Sequence, residues 1–176
     1  SASGGDYSFG NQQQMDTMLK PLGDAALAHI DLASVQHLLD IGCGTGSTTL
    51  DIAARLSDGA RVTGADLSVP MTDYARSRVT ETGVKNAEFI TCDLQLDPFE
   101  PAIFDAAFSR FGVMFFDAPV AGFKNIRAAL KPGAPLAFVC WQTPSENLWP
   151  SLAVATAKTC IEMPSAPDPR APGPVA

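Results

Sequence analysis

Leu38-Leu39-Asp40-Ile41-Gly42-Cys43-Gly44-Thr45-Gly46 is an apolar run that breaks into three alternating glycines directly before a helix-like segment. A strand ending in this way brings bare backbone N–H groups and a helix N-terminus up to a ligand, with no Cβ atoms in the way. The stretch therefore reads as a cofactor cradle, and its spacing narrows the cofactor. A dinucleotide fingerprint requires G-x-G-x-x-G. Here the third glycine comes one residue early, Ser47 holds the expected place, and an acid, Asp40, precedes the cluster. An acid at that point suits a ligand carrying positive charge.

Downstream, Val62-Thr63-Gly64-Ala65-Asp66 reads as a second strand ending in an acid, 20 residues after Gly46. Nucleotide-binding α/β folds place a carboxylate there, on the ribose hydroxyls. A third strand, Ala87-Glu88-Phe89-Ile90-Thr91-Cys92, ends at Asp93, and Phe104-Asp105-Ala106-Ala107-Phe108-Ser109 reads as a fourth. Leu130-Lys131-Pro132-Gly133-Ala134-Pro135-Leu136 reads as the helix-to-strand turn before a fifth. In this order the motifs resemble those of class I S-adenosylmethionine-dependent methyltransferases, of the small-molecule type found in ubiquinone and menaquinone biosynthesis. The resemblance implies an α/β fold: a Rossmann-like, doubly wound parallel sheet of about five strands in the order 3-2-1-4-5, with helices on both faces. It also implies S-adenosylmethionine as cofactor, S-adenosylhomocysteine as product, and a small-molecule methyl acceptor.

The rest of the chain fits that plan. Residues 1–10 are expected to form a flexible arm, 11–163 the cofactor-binding domain with its leader helices, and 164–176 a proline-rich tail. Met15, Met18, Leu19, Leu22 and Leu27 recur at helical spacing, and Pro21 divides them into two short helices. In the family such a leader lies across the pocket as a lid, which would bring Tyr7, Phe9 and Gln13 over the ligand; an ordinary packing helix is the alternative. Strands near 36–41, 61–66 and 87–92 then alternate with helices near 47–57 and 69–82, the pattern of parallel strands joined by crossovers. Ser68 and Pro70 suit the start of the latter helix and Gly83 its end. Residues 93–103 hold two prolines and are expected to be irregular. A helix over 118–131, a strand over 136–141 and a helix over 147–162 complete the reading. The family adds two further strands that this sequence does not contain, so the fifth strand is expected to present an open edge, partly covered by the last helix or by another subunit.

The 176 residues carry 12 basic and 19 acidic side chains, a formal charge of −7, with no basic stripe. This speaks against binding to a nucleic-acid backbone. No apolar run of membrane-spanning length and no signal peptide is visible, so a cytoplasmic protein with no membrane insertion, monomeric or weakly dimeric, is expected. Cys43, Cys92, Cys140 and Cys160 have neither zinc-site nor disulfide-framework spacing, and no metal is expected.

By resemblance, Gly42, Gly44 and Gly46 permit close approach along the amino-acid and ribose portion, and Asp40 sits near the charged end of the cofactor. Asp66 accepts the ribose hydroxyls, Leu67 and Met71 pack on the adenine, and Asp93 with Leu94 meets its amino edge. Ser109, Arg110 and Phe111 follow the fourth strand at its carboxyl end, where ligands of open α/β sheets collect. Each acid has a structural alternative: a helix cap for Asp66, a turn for Asp93, and a tie for the loop N–H groups for Asp40. Met71 could equally be helix core. His29 and His37 read as structural, and no general base is assigned; Arg110, Asp117, Trp141, Gln142 and Glu146 lie on connections at the correct end for an acceptor. Two other functions compete: an S-adenosylmethionine-binding module without catalysis, and a nicotinamide-dependent oxidoreductase, against which the early third glycine and Asp93 argue.

Overall fold

A computed structural model describes residues 12–143 and 146–162. The expected arm, the lid side chains Tyr7, Phe9 and Gln13, and the expected tail lie outside the described residues. Five parallel strands, β1 (His37–Ile41), β2 (Arg61–Asp66), β3 (Ala87–Thr91), β4 (Ala106–Arg110) and β5 (Leu136–Val139), form one sheet in the order β3-β2-β1-β4-β5. The helices are α1 (Gln12–Leu27), α2 (Ser47–Ala53), α3 (Val69–Thr82), α4 (Pro119–Ala129) and α5 (Leu148–Cys160).

Side chains along a strand alternate between the two faces of a sheet, and the core divides accordingly. Leu38, Val62, Ala106 and Phe108 pack with Leu27, Ile52 and Ala53 under α1 and α2. Leu39, Ile41, Ala65 and Ala107 pack with Ile126 and Ala129 of α4 on the other side. All five residues of β1 are buried, as expected of a central parallel strand covered on both faces. The same alternation puts Asp40, two residues after Leu38, and Arg110, two after Phe108, on the α1/α2 face.

Three expectations are corrected. The leader is one helix that runs through Pro21. The proline costs one helical hydrogen bond, offset by packing of α1 on β4 and β5, with exposed ion pairs from Lys20 to Asp51 of α2 (3.0 Å) and from Asp24 to Arg55 just after it (3.1 Å) as minor support. Ser68 and Pro70 do start α3, and Gly83 ends it with φ 70°, but the Ser68 side chain makes no capping bond. Instead the Asp66 carboxylate accepts the Ser68 N–H at 2.8 Å. Finally, β5 does present an edge, with Phe138 43% exposed, but it is packed by α1 and by Phe123 of α4, whose ring lies 5.8 Å from that of Phe138, and among the described residues α5 makes no substantial contact with it. The segment after Asp93 is irregular, as its prolines require.

The carboxyl ends of β1 and β4 are tied together. The Ser109 hydroxyl, fully buried, donates to the Ile41 carbonyl at 2.8 Å and accepts the N–H groups of Gly112 at 3.2 Å and Val113 at 3.3 Å. A Cβ on Gly112 would stand 2.5 Å from the Ile41 carbonyl oxygen, and one on Gly42 would stand 2.6 Å from the Gly112 Cα. Gly112→Ala is therefore expected to lower the unfolding free energy by about 1–3 kcal/mol, the usual range for overpacking, although the Gly112 φ of −76° suits alanine. Urea titration checks this; a variant as stable as the parent would show that the two backbones are not in contact.

Candidate functional site

The three glycines at the end of β1 do different work. Gly42 (φ +66°) is held against Gly112, and a Cβ on Gly46 would meet the Phe89 ring at 2.6 Å and the Ala75 methyl at 2.9 Å. Only at Gly44 (φ +53°) is the position beside the loop open, with the Met71 sulfur 3.9 Å away. Four of the N–H groups of this loop are not bare, contrary to the reading of the sequence. Those of Gly42 and Cys43 donate to the Ala65 carbonyl (2.8 and 3.1 Å), that of Gly46 to the Cys43 carbonyl (3.0 Å), and that of Gly44 to Asp66 Oδ2 (2.8 Å).

Asp66 thus holds the loop with one oxygen and the start of α3 with the other. It remains part-exposed at the end of β2, and a carboxylate has lone pairs for further donors. Asp40 is different. It is 1% exposed and accepts a 2.6 Å bond from the Thr49 hydroxyl. Burial pushes its pKa up to about 6, against the opposing pull of the Thr49 bond and of the Arg110 charge. Gly64 makes room for this arrangement, since a Cβ there would stand 2.8 Å from the Thr49 hydroxyl.

The remaining residues singled out from the sequence separate into two groups. Leu67, 67% exposed, and Met71 stand beside Asp66 and Gly44 at the open edge. Ser109 and Leu94 do not, because both side chains are buried: Ser109 ties β1 to β4, and Leu94 belongs to the α4-side core. Asp93 shapes a turn, its Oδ1 accepting the backbone and side-chain N–H groups of Gln95 (2.9 and 3.2 Å). Phe111 adopts φ 63° and stacks on Trp141 with ring centroids 4.6 Å apart. His37 lies at the opposite end of the sheet, where burial and the Arg61 charge hold its pKa below the ordinary value. Burial likewise raises the pKa of both Cys43 and Cys92, so neither thiol is a ready nucleophile.

A cleft of about 600 Å³ opens between α1, α2 and α3, and Arg110 and Phe108 form part of its wall. Arg110 Nη2 donates to Asp16 Oδ1 at 2.8 Å. The Ser47 hydroxyl donates to Asp16 Oδ2. Arg78 Nη1 in turn donates to the Ser47 hydroxyl at 2.7 Å and to the Thr45 carbonyl at 2.8 Å. Asp16, Arg78 and Gly112 were not singled out from the sequence. Each acts through a partner distant in the chain, and nothing local marks them.

Residues 38–133, more than half of the chain, match a family of methyltransferase domains. The chain is similar to demethylmenaquinone methyltransferase of Lactiplantibacillus plantarum, with 35% identity over 118 residues, which is 66% of this chain and 49% of that protein. Among solved structures it resembles phosphoethanolamine N-methyltransferase 2 of Haemonchus contortus in complex with S-adenosylmethionine, with 31% identity and a TM-score of 0.62, covering 67% of this chain and 27% of that one. It also resembles the [4+2]-cyclase SpnF, with 28% identity and a TM-score of 0.62, covering 67% and 43%. The chain spans about half the length, or less, of the curated relatives it matches first. The family match runs from the second residue of β1 to the turn before β5 and so takes in every strand end described above except that of β5: this chain belongs to the methyltransferase-domain family, in its class I, S-adenosylmethionine-dependent form.

Proposed function

We propose that the chain binds S-adenosylmethionine across the carboxyl edge of β1, β2 and β4 and transfers its methyl group to a small-molecule acceptor. The observation that carries this reading is the internal bonding of the glycine loop. A pyrophosphate needs several convergent free N–H groups, whereas here those of Gly42, Cys43, Gly44 and Gly46 are taken, Arg78 is engaged by the Thr45 carbonyl, and the carboxylates of Asp40 and Asp66 flank the loop. That electrostatic character suits a ligand bearing an ammonium and a sulfonium and no phosphate.

In this reading Asp66 accepts the ribose hydroxyls while it holds Gly44, and Leu67 and Met71 give the adenine an apolar platform. Asp93 uses its spare lone pairs on the adenine amino group, and Leu94 offers only its backbone. Asp40 attracts the ammonium and Arg110 the methionyl carboxylate. During transfer the acceptor's electron pair forms the new bond to the methyl carbon, the carbon–sulfur pair returns to sulfur as a thioether, and the proton that the acceptor sheds goes to solvent. Positive charge on sulfur disappears, so positioning and exclusion of water are the protein's main contributions. The four cysteines are free, which fits a reducing, cytoplasmic setting. Among the described residues no helix is long and apolar enough to cross a membrane.

A second reading, cofactor binding without methyl transfer, is supported by the likeness to a protein named for cyclisation. Calorimetry is expected to show binding of S-adenosylmethionine and none of NAD, and labelled donor incubated with a metabolite panel is expected to label an acceptor. Binding with no labelled product, from this chain or a longer one that includes it, would favour the second reading. Asp66→Ala is expected to weaken cofactor binding by about 1–3 kcal/mol; an unchanged dissociation constant in a folded variant would reject its role.

Asp40 provides a pH signature. Its pKa rises from an ordinary 3.8 to about 6 on folding, so between those values the folded chain holds a proton that the unfolded chain has released. Stability from this group is greatest below pH 3.8 and declines by roughly 3 kcal/mol as pH rises to about 6. Asp40→Asn keeps an acceptor for Thr49 and removes the charge. It is expected to be more stable than the parent above pH 6, read as a higher urea midpoint, yet to bind S-adenosylmethionine more weakly. In the parent, affinity should fall as pH drops below about 6. If the asparagine variant keeps that slope, another group is titrating.

A further inference from the structure

The Arg110 side chain lies along the leader helix. A Cβ on Gly23 would stand 3.0 Å from Arg110 Cδ, so the glycine lets the aliphatic stem pass close over α1. The guanidinium then reaches Asp16 at 2.8 Å. Gly23 and Asp16 are seven residues apart, two helical turns, and therefore share a face. The Asp16 and Arg110 side chains are only 22% and 16% exposed, which makes the pair stronger than a solvent-screened one.

What Asp16 touches is a set of groups suited to a carboxylate. Arg110 gives a guanidinium, Ser47 a hydroxyl from the residue after the glycine loop, and Arg78 a second guanidinium directly behind that hydroxyl. Asp40 lies close enough to Arg110 for the guanidinium to lower its pKa, so the carboxylate-receiving groups adjoin an ammonium-attracting one. The combination matches an α-amino acid end. We propose that Asp16 is an internal competitor for that site: the carboxylate of an amino-acid-bearing ligand and the leader helix contend for the same Arg110 and Ser47, so that ligand entry unlatches α1 from the edge of the sheet. This inference rests on the cofactor reading above and adds to it a regulatory role for Asp16.

The test compares two ligands in the parent and in Asp16→Asn: S-adenosylmethionine, which carries the α-amino acid, and 5′-methylthioadenosine, which lacks it. A competitor predicts that Asp16→Asn binds S-adenosylmethionine about three- to tenfold more tightly and 5′-methylthioadenosine unchanged, by calorimetry. Weaker or equal binding of S-adenosylmethionine by the variant overturns the competition, because Asp16 would then orient Arg110 or do nothing. A parallel shift for both ligands also overturns it, since that is what loss of helix packing produces. Should the asparagine variant fail to fold, hydrogen exchange of the parent decides: S-adenosylmethionine should speed exchange in residues 12–20 and 5′-methylthioadenosine should not, and slowing or no change rejects the latch. If the parent binds neither ligand, the cofactor reading itself fails, which is distinct from the outcomes above.

Discussion

The carboxyl edge of this sheet depends on two backbones that pass with no room for a side chain between them. Gly42, leaving β1, lies against Gly112, two residues after β4, and the buried Ser109 hydroxyl bonds to both sides of the crossing. Because the two backbones meet so closely, the loop that follows β1 leaves the sheet at a set angle and Gly44 comes within hydrogen-bond reach of Asp66, while the pairing of β4 with β1 puts Arg110 on the same face as Asp40.

Asp40 shows how that rigidity is used. A carboxylate at 1% exposure is costly, and one bond from Thr49 does not offset the lost hydration, as its raised pKa records. An apolar residue there would serve the core better. In the proposed reading the acid offers its charge to a cationic ligand, a local disagreement between stability and function of the kind that active edges of proteins tolerate.

The leader helix adds a second layer. It contributes Leu27 to the core, packs along β4 and β5, and brings a carboxylate to the guanidinium at the end of β4. Pro21 inside it is tolerated because tertiary packing, not intrinsic propensity, holds most helices in place. The exposed apolar side chains Leu67, at the end of β2, and Leu96, in the irregular segment after β3, contrast with this closed corner.

Much of this was legible in the sequence. Apolar runs ending in Gly42, Asp66 and Asp93, separated by helical segments, marked parallel strands joined by crossovers, because parallel strands covered on both faces need continuous apolar runs and long connections; the strand order was implied by the resemblance to class I methyltransferases and is the one observed. Local signals also placed the Gly83 helix stop and the irregular segment after Asp93. What the tertiary structure decided was the use of groups whose partners lie far along the chain: that Gly42 and Gly46 serve internal packing, that Ser109 is a buried tie and Leu94 core, that Pro21 does not break the leader, and that Asp16 meets Arg110. Periodicity reports which face a residue occupies, since that is a property of its own segment. It carries no information about which residue 94 positions away will face it, because that is set by the packing of whole elements.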